Sequence, residues 1–129
     1  MIKTNIIVRL EIEGFHCWPQ AARILPYVAF LSERHRHIFH FTAKKEVTHS
    51  NRDIEIIMFK REITKYLLKE YDCGDNGWCE FGTLSCEAIA EILMKKFDLH
   101  YCSVLEDNEN GAECFKQDYI EPPLFGNTF

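Results

Sequence analysis

His35 and His37 stand two residues apart in a strand-like run, His35-Arg36-His37-Ile38-Phe39-His40-Phe41. Side chains on an extended strand alternate faces, so residues i and i+2 point the same way. Two imidazoles side by side on one face supply two metal ligands. A third histidine, His16, follows another strand-like run upstream. Three histidines with one position left open make the ligand set of a catalytic zinc, whereas a structural zinc is closed by four protein ligands. The plainer reading of His35 and His37 is a polar pair on an exposed strand face. His40 falls on the opposite face, His49 sits in a turn cluster and His100 at a strand start, so none of these three joins the candidate site.

The elements that must position these residues follow from periodicity. From Asn5 to Glu13 the residues alternate, with Ile6, Val8, Leu10 and Ile12 on one face and Arg9, Glu11 and Glu13 on the other. That is a half-buried strand, ended by Gly14. Residues 15–34 contain Pro19 and Pro26 and read as an irregular loop with a turn of helix around Ala21 to Leu25. His35 to Val47 is the second strand, Thr48 to Asn51 a turn, and Asp53 to Met58 a third strand. The period then changes. Phe59, Ile63, Tyr66 and Leu67 form the apolar stripe of a helix that runs to Tyr71. Residues 72–82, with Gly74, Gly77 and Gly82, read as a loop. A second helix spans Ser85 to Phe97, capped by Thr83 or Ser85. Leu99 to Leu105 and Ala112 to Tyr119 read as strands around a turn at Asp107 to Gly111. Residues 120–129 read as a loose or docked tail. Strands segregated from helices imply an α+β domain, with helices on one face of an antiparallel sheet.

The chain has 129 residues, 47% of them hydrophobic and 13% aromatic, which fits a single folded domain. Its net charge is -5 and its pI about 5.7, with no basic cluster longer than Lys44-Lys45 or Lys95-Lys96. Nucleic acid and anionic membranes are therefore not the expected partners. The six cysteines form no CxxC pair. Arg9 and Glu11 interrupt the N-terminal apolar run, so it does not read as a signal peptide, and no run has membrane-spanning length. A cytoplasmic protein with reduced thiols is expected.

The element order and these residues resemble the 6-pyruvoyl-tetrahydropterin synthase and 6-carboxy-tetrahydropterin synthase family, from about Asn5 to Phe115. The resemblance implies the tunnelling fold (T-fold), an antiparallel sheet with two helices on one face, and zinc held by His16, His35 and His37. Arg36 stands where the family's His-Gly-His motif has glycine, and Met58 where the family has an acidic residue. Ser85-Cys86-Glu87 is similar to the Thr-x-Glu that opens the family's second helix. Leu105-Glu106 resembles the strand that carries its substrate-anchoring glutamate. A carboxylate there accepts two parallel N–H bonds from the guanidine-like edge of a pterin. The family's cysteine before His-Gly-His has no counterpart in Phe30-Leu31-Ser32-Glu33-Arg34, where Glu33 is the candidate base. The nearest counterpart of its Asp-His pair is Asp72-Cys73, which lacks the histidine.

The resemblance thus implies a zinc-dependent lyase acting on a reduced pterin or purine-derived ring. Glu33, Asp72 and Cys73 are the candidate catalytic residues, and Glu106 and Glu87 the substrate-binding ones. A first-turn helix glutamate that favours the helix dipole is the equal alternative for Glu87. The alternative for the whole chain is a non-catalytic protein that binds or sequesters a pterin or purine-like nucleotide. The resemblance also implies self-association, as a homohexamer with pockets between subunits.

Overall fold

A computed structural model describes residues 2–72 and 74–117. The chain is α+β. Strand β1 (Thr4–His16) leads through a short helix, α1 (Ala21–Ile24), and a 3₁₀ stretch (Pro26–Ser32) into β2 (His35–Val47). Helix α2 (Ile56–Tyr71), strand β3 (Cys79–Gly82), helix α3 (Cys86–Phe97), and strands β4 (Tyr101–Glu106) and β5 (Asn110–Phe115) follow. The five strands form one sheet in the order β3-β1-β2-β4-β5.

One face of the sheet is covered. Val8, Leu10 and Ile12 of β1, Phe39 and Phe41 of β2, and Cys102 and Val104 of β4 pack in a single buried cluster. Phe59, Ile63 and Leu67 of α2 and Ile89, Ala90 and Leu93 of α3 close that cluster from above. The alternate residues of the same strands carry the polar face, where Glu13 pairs with Arg36 and Glu11 lies 3.4 Å from His40. His35 and His37 share parity with Phe39 and Phe41, so alternation places both histidines on the helix-covered face.

The structure corrects four expectations. Residues 53–58 are not a strand, because α2 already begins at Ile56. The Glu55 side chain accepts hydrogen bonds from the backbone N–H of Ile57 and Met58 and starts the helix there. A short apolar run such as Ile54 to Met58 fits either period, and the cap decides it. The loop expected over 72–82 contains β3, in which Cys79 and Phe81 are buried and alternate with Glu80. That strand lies parallel to β1, so the sheet is mixed and not antiparallel throughout. Gly14 does not end β1, which continues to His16. A Cβ on Gly14 would lie 2.9 Å from ring carbons of both Phe39 and Phe81, so glycine gives those rings room beneath the strand. The expected tail, residues 120–129, lies outside the described residues.

Ser85 caps α3 as expected, accepting from the Ala88 N–H at 3.1 Å. Among the described residues no helix is long and apolar enough to cross a membrane. The five described cysteines are all free thiols.

Candidate metal centre

Three strands bring their donors to one corner of the covered face. His16 ends β1, His35 begins β2, and the antiparallel register sets them directly opposite each other. His37 pairs with Gly14, one pleat along. Glu106 ends β4 opposite Phe39 and points to the same face as His37. The ring centroids of His16, His35 and His37 are 4.6, 5.0 and 5.4 Å apart, and the rings stand edge to face. Phe39 forms the floor, 5.2 Å from His16 and 5.7 Å from His37.

Each imidazole is held by its Nδ1. His16 Nδ1 is 2.9 Å from the Leu84 carbonyl, His35 Nδ1 is 2.8 Å from the Glu33 carbonyl, and His37 Nδ1 is 2.7 Å from Asp107 Oδ2. Carbonyl and carboxylate oxygens only accept, so each Nδ1 donates, and in the neutral rings the Nε2 keeps a lone pair. Metal-ligating histidines are oriented in this way. The Nε2 atoms of His16 and His37 are buried and make no hydrogen bond. Glu106 stands against both: Oε2 is 2.8 Å from His16 Nε2 and Oε1 is 3.5 Å from His37 Nε2. These contacts are close but not aligned as N–H···O bonds. One donor atom from each of His16, His35, His37 and Glu106 lies within 4.8 Å of the others. A tetrahedral ion with bonds of about 2.1 Å spaces its donors about 3.4 Å apart, between the 2.8 Å of His16 and Glu106 and the 4.8 Å limit of the set. Buried nitrogens without partners beside a carboxylate are a cluster that can hold a metal.

The same contacts set the proton affinities. Burial pulls the His16 pKa down, but Glu106 and the Leu84 carbonyl outweigh it, and the net direction is upward. The His16 contact holds Glu106 below the usual carboxylate range against its burial. Asp107 is lowered by the bond from His37 and by the Ile38 N–H. A proton and a metal compete for the same Nε2.

A cavity of about 500 Å³ opens beside the cluster, lined by His16, His35, Glu106, Glu87 and Cys86 among others. No lysine or arginine is among its described lining residues. Burial first, then Glu106, pushes the Cys86 thiol up to about 12, which favours the protonated thiol.

Compared with models of known protein families and with curated proteins, the chain matches none.

His16, His35, His37 and Glu106 are thus brought together, and Glu87 lines the same cavity from the first turn of α3. Glu33 serves through its backbone carbonyl, while its side chain is exposed and does not line the cavity. Asp72 ends α2, where its carboxylate accepts from the N–H groups of Asn76 and Gly77; it lines a separate groove with Lys69. Cys73 lies outside the described residues.

Sequence reasoning missed Asp107, Leu84 and Cys86. Asp107 read as a turn residue, which it is, in the left-handed region at φ 55. Its place beside His37 depends on the pairing of β2 with β4. Leu84 reaches His16 because the unforeseen strand β3 runs alongside β1. Cys86 is buried and also lines the cavity.

Proposed function

We propose that this chain is a zinc-binding, pterin-synthase-like domain whose cavity takes a reduced pterin or a purine-derived ring. The reading rests on one observation above others: three histidines on two paired strands, each tied at Nδ1, bring donor nitrogens within 4.8 Å of one another beside a cavity of about 500 Å³. Imidazole nitrogens with a carboxylate suit Zn²⁺ among the abundant divalent ions. Bound zinc would supply Lewis acidity, favouring ionisation of substrate hydroxyl or carbonyl oxygens. The resemblance to the pterin synthases carries the lyase reaction, the T-fold assignment and the homohexamer. The α+β order and the two helices on one sheet face agree with that fold class.

The cavity lining supports that ligand class. The cavity presents the carboxylates of Glu87 and Glu106, which accept N–H bonds from the edge of an amino-substituted ring. With no lysine or arginine in its described lining, the cavity fits an uncharged ring better than one carrying a polyphosphate.

The second reading is a protein that binds such a ring without converting it. The placement of Glu33 and Asp72 outside the cavity favours it, because a base must reach the proton it removes. Incubating the zinc-loaded chain with dihydroneopterin and with its triphosphate separates the two. Turnover to a new pterin supports the lyase. Stoichiometric uptake without product supports the binding protein, and neither uptake nor turnover removes both.

A further inference from the structure

Glu106 resembles the glutamate that grips a pterin ring, but its surroundings are those of a metal ligand. It lines the cavity, yet both of its carboxylate oxygens are engaged. Each faces an imidazole nitrogen, at 2.8 Å for His16 and 3.5 Å for His37. Both nitrogens are buried and lack hydrogen bonds. The carboxylate is itself largely covered, with 28% of its side chain exposed, and its described ion-pair partners are only these two histidines. Burying a carboxylate without a firm cationic partner is costly. A divalent ion among the three Nε2 atoms removes that cost.

From this geometry we propose that Glu106 is the fourth ligand of the metal, closing the centre as three histidines and one carboxylate. The proposal rests on the metal reading above. Sheet register makes it specific to this residue. Glu106 pairs with Phe39, the next residue on the His37 face, so its side chain is committed to the corner where His16 and His37 meet. The following residue, Asp107, holds His37 from its other nitrogen at 2.7 Å. The turn between β4 and β5 therefore delivers one carboxylate to each side of a single imidazole. The backbone fixes both: the Asp107 N–H donates to the Ile38 carbonyl at 2.8 Å, and the Ile38 N–H donates to Asp107 Oδ1 at 2.9 Å.

The proposal reassigns the ring contact. A carboxylate committed to the metal is not available to a ring edge, which leaves Glu87 as the acidic group of the cavity lining that is free to accept from the ligand. It also fills the position that three histidines alone leave open, so a substrate oxygen would reach the metal only by displacing the carboxylate or as a fifth ligand.

Co²⁺ is the probe, because the intensity of its visible bands separates four-coordinate from six-coordinate sites. The wild-type chain should bind one equivalent with strong four-coordinate bands, and His35→Ala should lose them. Removing a second-shell partner costs roughly 10- to 100-fold in metal affinity, so replacing a direct ligand by Glu106→Gln should cost about 100-fold or more and weaken the bands. In Glu106→Ala, added acetate should restore the bands, a rescue that a merely structural residue would not show. Glu87→Gln should leave Co²⁺ affinity and spectrum unchanged. Wild-type affinity and spectrum in Glu106→Gln, beside loss in His35→Ala, would overturn the ligand role and leave the metal site standing. No Co²⁺ uptake by the wild-type chain would overturn both.

Discussion

The bond between His37 and Asp107 gives a graded test of how the centre is held. Asp107 Oδ2 accepts from His37 Nδ1 at 2.7 Å, and Oδ1 accepts from the Ile38 N–H at 2.9 Å. Asp107→Ala removes both bonds. It frees the imidazole to rotate and to change tautomer, and it removes a negative charge beside the ring. Partners of this kind are worth about 10- to 100-fold in metal affinity. The Asp107 side chain is 47% exposed, so water screens its charge and the lower end applies. About tenfold, or about 1.4 kcal/mol, is expected. Asp107→Asn keeps one accepting oxygen for two donors and should lose less. The assay is competition for Zn²⁺ against a chromophoric chelator at fixed pH, with thermal melts of the same variants to confirm that they fold. Affinity within twofold of wild type in a folded Asp107→Ala chain would refute the reasoning. So would equal losses in the Ala and Asn variants, because the charge would then play no part.

Three further outcomes follow from the packing, the caps and the protonation of the site. Gly14→Ala drives a methyl to within 2.9 Å of Phe39 and Phe81, and overpacking of this kind costs about 1–3 kcal/mol, read by chemical denaturation; unchanged stability would mean that the rings have room to move. Ser85→Ala deletes the cap on α3 and should cost about 1 kcal/mol in the same assay, with no change if the Ala88 N–H is satisfied by water instead. Zn²⁺ affinity should fall as the pH drops through the raised pKa of His16, since the proton and the metal share its Nε2. A pH-independent affinity across the histidine range would exclude His16 from the ligand set.

Much of the site is visible in the sequence because strand alternation is a local rule. His35 and His37 sit on one face in any extended chain, and Phe39 and Phe41 mark that face as the buried one. His16 is harder, since Gly14 reads as a stop; its service as space for Phe39 and Phe81 depends on rings 25 and 67 residues away. The start of α2 was hidden for a different reason. Ile54, Ile56, Ile57 and Met58 suit a strand by residue type, and the Glu55 side chain turns them into a helix N-terminus. β3 is four residues in a glycine-rich stretch, too short to declare a period. Its parallel partnership with β1 nevertheless sets the Leu84 carbonyl against His16. Asp107 and Leu84 are held in place by pairings between distant strands, and a single sequence does not display such pairings. Glu106 was legible only through the resemblance to the pterin synthases, which marked the residue as important and suggested a ring for a partner.

The central claim is that His16, His35 and His37 hold one metal ion. Calorimetric titration of the purified, chelator-treated chain with Zn²⁺ tests it most directly, alongside the His16→Ala, His35→Ala and His37→Ala variants. One equivalent of tightly bound zinc per chain is expected, with affinity lost in each of the three variants and retained in His40→Ala, on the opposite face of the sheet. Zinc uptake equal in wild type and the three variants, or no uptake in wild type, would contradict the account.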